Sequence, residues 1–294
     1  MLNVRLRPVN LDHIRWSGHC QTPLRNAASL SGRPVLTTLL FLPALLIAAC
    51  GGGEDPAVGE TVRSAVASYN AKDVAGFLGA LTDKAVQEQY GAPREQAAAA
   101  VSKSIGDPPI EVRRLSNTNV SGTTATIDFE HTSGKVVVVE QVAMVKDGDQ
   151  WRIDGFNNQP VQIPGGTKAI GVEASEFAFK LDGDVKDGDI ALAVRNVGQQ
   201  EHELVLARIA DSVPLESLVM EIAQAGNDAS KAPAAVQEIV AFGSYKPGES
   251  GNIVFAKALD PGRYGLFCFF PDVNDPEQTP HALKGMYAEF SVPG

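Results

Sequence analysis

Two stretches near the C-terminus, PGRYGLFCFFPD (261–272) and PHALKGMYAEFSV (280–292), decide how this chain reads. Pro261-Gly262 is a turn signal, the aromatic run behind it reads as a strand ending near Cys268, and a last strand begins at Met286. The loop between them carries His281. Upstream, His202 lies in the strand-like EHELVLARIA (201–210). Together His202, Cys268, His281 and Met286 offer two imidazoles, one thiolate and one thioether. Soft sulfur donors favour Cu(I) and imidazole accepts both oxidation states, so this donor set points to copper. Phe267, Phe269 and Phe270 are expected to form a dry shell around the sulfur.

The opposite end of the chain reads as an export segment. Pro34 to Ala49 (PVLTTLLFLPALLIAA) is apolar apart from two Thr and follows Arg25 and Arg33. It is shorter than the roughly 20 residues of a membrane-spanning helix. A basic flank, a short apolar core and small residues before a cut mark a cleaved signal. The cut would fall before Cys50. Ile47-Ala48-Ala49-Cys50 resembles the bacterial lipoprotein signal, which implies lipid on Cys50 and a membrane as partner. Gly51 to Pro56 then reads as a tether.

Residues 1–49 hold five Arg against one Asp, so with the whole chain at −10 the remainder carries −14. That balance argues against nucleic acid as a partner, because phosphate binding needs clustered Lys and Arg. Of three Cys, Cys20 lies in the leader and Cys50 would hold lipid. Cys268 is left as the single thiol of an exported chain, with no intramolecular disulfide open to it. A buried inert thiol is the plain reading of such a residue. Its company of two His and a Met favours metal.

From residue 57 the pattern has two halves. Val58, Val62, Ala65, Val66 and Tyr69 mark one helical face, Val74, Phe77, Leu78 and Leu81 another, and an Ala-rich helix follows over about Arg94 to Ile105. The period then falls to two at Ala125, Ile127 and Phe129, with hairpin turns at Ser133-Gly134 and Asp147-Gly148 and a closing Trp151, Ile153 and Phe156. His131 is expected in solvent at a hairpin turn, and Asp83, Glu88 and Tyr90 are weighed as cavity residues. Helices followed by an antiparallel sheet give an α+β layout over 57–156. This half resembles the nuclear-transport-factor-like (SnoaL-like) cone-shaped family, on its tyrosine-bearing first helix and on MVKDGDQWRIDGF (144–156).

Residues 157–168 hold two Pro and two Gly and read as a linker between separately folding halves. Strands are expected at Ala169–Leu181, Asp189–Asn196, Glu203–Ala207, Gly251–Lys257, Arg263–Phe269 and Met286–Val292, making a β-sandwich over 169–294. Two helices are expected in an insertion, one on Leu215, Leu218, Val219 and Ile222 and one on Ala235, Val236 and Ile239. This half resembles the cupredoxin (plastocyanin-like) family through NVGQQEHEL (196–204), YKPGESGNIVF (245–255), PGRYGLFC (261–268) and HALKGM (281–286). The resemblance implies a Greek-key sandwich in which His202, Cys268, His281 and Met286 hold one copper. Two features depart from the family pattern. Cys268 and His281 stand 13 positions apart, and Glu203 replaces the Asn often found after the first His.

The expected function is electron transfer with a redox partner protein from a lipid-anchored position in a bacterial envelope, without catalysis. A Cu(I) carrier or buffer and a metal-free partner-binding lipoprotein are the competing readings.

Overall fold

The computed structural model describes residues 55–225 and 233–294. The export segment and Cys50 lie outside the described residues. Among the described residues no helix is long and apolar enough to cross a membrane.

The first half is the expected α+β unit. Asp55 caps α1 (Pro56–Asn70) by accepting from the Ala57 and Val58 amides, satisfying donors that a helix start leaves open. α2 (Val74–Gly79), α3 (Asp83–Tyr90) and α4 (Arg94–Ser104) follow. They cover one face of an antiparallel meander made of β1 (Ile110–Ser121), β2 (Thr124–Ser133), β3 (Val136–Asp147) and β4 (Gln150–Asn158). Val58, Val62, Leu81, Ile127, Val142, Met144 and Ile153 form the core. β1 was missed in the sequence because register shifts at Val112/Arg114 and Ser116/Asn119 break its period of two.

His131 is not at a turn. It lies in β2, 6% exposed, stacked on Phe129, with Nε2 3.2 Å from Glu140 Oε2. It continues the inward face of Ala125, Ile127 and Phe129. Asp83 and Glu88 form surface ion pairs with Arg94 and Lys84, while Tyr90 packs against the core.

The second half is a two-sheet sandwich. One sheet has the order β10-β7-β5-β6 and the other β12-β11-β8-β9. The strands are β5 (Lys168–Ser175), β6 (Ala178–Asp182), β7 (Ile190–Asn196), β8 (His202–Ile209), β9 (Val236–Tyr245), β10 (Ser250–Val254), β11 (Gly262–Phe267) and β12 (Tyr287–Val292). Ile170, Val172, Leu192, Val194, Leu204, Leu206, Tyr264 and Leu266 fill the space between the sheets. α5 (Leu215–Ala225) covers the outer face of the second sheet over Ala207, Ile209 and Phe267. β8 is therefore apolar on both faces.

Two expected elements differ. Ala169–Leu181 is a hairpin, because Phe177 adopts φ +64° and turns the chain between β5 and β6. Val236 and Ile239 lie in β9, with Ala235 in the turn before it, not in a helix. Their spacing imitates a helical face because β9 meets β8 through two register shifts, which interrupt strand alternation.

Candidate metal centre

Three chain segments deliver the donors to one end of the sandwich. His202 opens β8, where it pairs with Tyr245 at the end of β9. Cys268 follows the last residue of β11, whose Phe267 pairs with Val205 of β8. His281 opens a short 3-10 turn over His281–Lys284. Backbone bonds tie this turn to the cysteine: Ala282 N donates to Cys268 O at 2.7 Å, His281 N to Phe270 O at 2.9 Å and Cys268 N to Met286 O at 3.2 Å. Gly285, at φ +107°, ends the turn in a conformation other residues rarely adopt. The reversal lets Met286 N donate to His281 O at 3.0 Å.

Three of the four expected donors converge. One donor atom from each of His202, Cys268 and His281 lies within 4.8 Å of the other two. His202 Nδ1 is 3.1 Å from His281 Nδ1, and Cys268 Sγ is 3.4 Å from the same nitrogen. Both imidazoles thus turn Nδ1 inward. Met286 is fully buried in the same apolar cluster as Cys268. His202, Cys268, His281 and Met286 are each 0% exposed.

These residues fit a copper ion. The observed spacings suit an ion with bonds of about 2.0–2.3 Å to nitrogen and sulfur, and the mix of donors is the copper one. Burial lowers the pKa of His202, with His281 adding to it, and burial likewise lowers that of His281. Both rings are therefore available as neutral ligands near pH 7. Burial pushes the Cys268 thiol up to about 12, although the Glu203 and Phe270 amides pull the other way. Metal uptake must then release a thiol proton.

The long loop does not hold His281 away. Asp272 N donates to Thr279 O at 3.0 Å, and Pro271 and Pro280 pair as an isolated bridge, so residues 271–280 fold back on themselves. Lys284 Nζ bonds Asp272 Oδ2 and Asp275 Oδ2, both at 2.7 Å. The Lys284 ammonium holds the Asp272 carboxyl down at about 2 and lowers Asp275 as well. Gln200 joins this clasp to the ligand. Its Nε2 donates to Asp272 Oδ1 at 2.8 Å, while its Oε1 accepts from Val273 N at 2.9 Å and lies 3.3 Å from His281 Nε2. A donor at His281 Nε2 leaves Nδ1 free to bind.

A second support lies under His202. Glu176 Oε1 accepts from the Gln199 and Gln200 amides at 2.5 and 2.8 Å and stands 3.6 Å from His202 Nε2. That nitrogen has no hydrogen bond of its own. Phe177 places its ring edge against His281, with centroids 5.4 Å apart. Asn196 fixes the 197–201 loop by donating to Gln200 O and Tyr245 O at 2.7 and 2.8 Å.

Glu203 forms a structural bond of its own. Its Oε1 accepts from Phe269 N at 2.6 Å, clamping β8 to the residue after Cys268. Its Oε2 is buried without a partner, and burial raises the carboxyl to about 7. The aromatic shell is only partly as expected. Phe267 and Phe269 point to the opposite side from Cys268, where they pack with α5, because alternate residues of an extended chain face opposite ways. Phe270 stays on the sulfur's side, and Phe177 is the additional aromatic there. Glu176, Phe177 and Gln200 were not singled out from the sequence. Gln200 and Asn196 stood in the quoted NVGQQEHEL, yet nothing local showed what they would touch.

No family model and no curated protein matches the chain. Among solved structures, a dithionite-reduced auracyanin from the photosynthetic bacterium Roseiflexus castenholzii is 26% identical over 44% of this chain and 100% of its own, with a TM-score of 0.30. An azurin from Methylomonas is 16% identical over 44% of this chain and 98% of its own, TM-score 0.27. A nuclear-transport-factor-2-like protein of unknown function from Shewanella oneidensis is 11% identical over 34% of this chain and 94% of its own, TM-score 0.28.

Proposed function

We propose that the protein is an exported electron carrier in which His202, Cys268, His281 and Met286 hold one copper ion. The observation that carries this is the convergence of three fully buried donors from distant segments within 4.8 Å. Bound copper supplies a one-electron couple between Cu(I) and Cu(II). The chain's contribution is to keep the donors in place in both states. The clasp through Gln200, Asp272 and Lys284 fixes His281, while Glu203 fixes the strand end at Cys268. Burial of every donor favours this over a Cu(I) carrier, since handing metal on needs an accessible ligand, and it leaves no open position for substrate turnover. A redox protein partner would approach a chain whose charge beyond residue 49 is strongly negative.

Adding Cu(II) to the chain from Glu54 onward should give one bound copper, an intense visible charge-transfer band and reversible one-electron redox. Colourless protein without bound metal would leave a metal-free sandwich. Met286→Leu should keep the copper and raise the potential, because an apolar side chain in place of a weak donor disfavours the higher charge of Cu(II); voltammetry reads the shift.

The reading includes lipid on Cys50 and attachment to the outer side of a bacterial membrane. One acyl chain binds with only about 10⁴ M⁻¹, so stable anchoring implies several chains. Cys50→Ser should release the protein or leave it unprocessed. Unchanged membrane retention at the same mature mass speaks against the anchor.

A further inference from the structure

Among the described residues, the hairpin between β2 and β3 carries the contact between the two halves. The turn joining β2 to β3 reaches the sandwich, where Lys135 Nζ bonds Glu238 Oε2 at 2.8 Å and Asp260 Oδ2 at 3.2 Å. Ala256 N donates to Lys135 O at 2.8 Å, and Val136 pairs with Phe255 as an isolated antiparallel bridge. Val136 also packs against the apolar cluster of the sandwich. Asn252 Nδ2 donates to Val161 O at 2.8 Å, so the connection between β4 and β5 is itself pinned to the second half. The contact thus combines a backbone bridge, an apolar insertion and a cation between two carboxylates. It joins parts already connected by a short segment, so its effective concentration is high and even a small contact stays closed.

The position of this contact is informative in both halves. In the first half, α1 is capped by Asp55, whose amide donates to Thr118 Oγ1 at 3.1 Å. It ends at Asn70, whose side chain bonds both the amide and the carbonyl of Ile110. Ile110 pairs with Ser133, beside the docking turn. The start of the described chain and the docking turn therefore lie at opposite ends of a 15-residue helix, about 22 Å long. In the sandwich, Lys135 meets Glu238 near the start of β9, whereas the metal end lies at Tyr245, opposite His202. Those points are separated by about 24 Å of strand. Each half has its incoming contact at one end and its outgoing one at the other.

We infer that the N-terminal half is a docked spacer, which holds the donor end of the sandwich at a fixed distance from the point where the chain enters and turned away from it. Its consequence at a membrane rests on the anchor proposed above: the copper end would face outward, open to a partner. The docking itself requires neither lipid nor copper.

Spin labels test it. In the chain from Gly51 onward with Cys268→Ser no native thiol remains. Asn119→Cys labels the entry end and Val273→Cys the donor end; both positions are exposed. Dipolar spectroscopy should give one narrow distance distribution. Lys135→Glu with Val136→Asp puts charge where the hairpin inserts and should broaden it several-fold. Circular dichroism of the pair, unchanged from the parent, shows that both halves remain folded. If that pair unfolds the first half, Glu238→Lys with Asp260→Lys on the sandwich face should give the same broadening. A broad distribution in the parent overturns the spacer, and so does a narrow one that survives the variants. Because the experiment contains no copper and no lipid, failure of either of those readings leaves its outcome unaffected.

Discussion

Replacing Cys268 with Ser should abolish the visible copper band completely while leaving the protein folded. The band requires a thiolate bonded to Cu(II), and among the described residues Cys268 is the sole cysteine. A serine oxygen at 0% exposure, facing two neutral imidazoles, is a poor substitute for soft sulfur. The structural cost is small by comparison. Burying a hydroxyl in place of the thiol costs on the order of 1–3 kcal/mol when its bonds are incomplete. The backbone bonds that organise the turn, from Cys268 N to Met286 O and from Ala282 N to Cys268 O, do not involve the side chain. Optical titration with Cu(II), alongside urea unfolding of the metal-free protein, separates the two effects. A Ser variant that keeps an intense band shows that the sulfur is not a ligand.

Glu203 should make the metal-free protein less stable as pH rises. Burial lifts its carboxyl from 4.5 to about 7 in the folded state. Below pH 4.5 both folded and unfolded forms carry the proton and no penalty arises. Between the two values the unfolded chain ionises while the folded one resists, so stability falls with pH. Above about 7 the full penalty is present, about 3 kcal/mol for a shift of this size. His202 and His281 act in the opposite sense. Their folded pKa values are depressed, so they cost stability in acid and release that cost as pH rises toward 6.5. The windows overlap, and the wild-type profile shows only the sum. The difference between wild type and Glu203→Gln isolates the carboxylate, because the amide keeps an acceptor for Phe269 N and carries no charge. Urea unfolding at pH 5 and pH 8 should show a wild-type loss about 2.5 kcal/mol greater than that of the Gln variant. Equal losses would mean that Glu203 ionises normally.

The ligand residues were legible because each donor's chemistry belongs to its own side chain and because their order along the chain is linear information. Strands were legible where alternation is clean, as at Ala125, Ile127 and Phe129 of β2, which all face the core. Alternation failed at register shifts. It hid β1 and disguised the start of β9 as a helix, since an extra residue moves every later side chain to the other face. His131 was misplaced for a related reason: a polar residue near Ser133-Gly134 resembles a turn residue until its partner Glu140 is found on the next strand.

The supports of the site were not legible. Gln200 meets Asp272 across 72 positions, and Glu203 meets Phe269 across 66. Nothing local in either segment specifies the other, because such contacts exist only once β8 and β11, far apart in the chain, have paired. The 12-residue loop between Cys268 and His281 was ambiguous on the same grounds. Its length is a sequence fact, but Lys284 and Gln200 decide that it folds back and seats the imidazole. Phe267 and Phe269 show the converse, for their apolar character was plain while the face they occupy depended on where α5 packs.

By itself, then, the sequence determined the donor set, its order, the turn and strand signals around it and the division into an α+β half and a β half, since side-chain chemistry and short-range periodicity are carried locally along the chain. Only the tertiary structure decided that three donors meet within 4.8 Å, that Glu176 and Gln200 stand behind the imidazoles and that the Lys135 hairpin docks at the end remote from the metal. Those are distances between residues far apart in sequence, set by how the sheets pair, stack and exclude water.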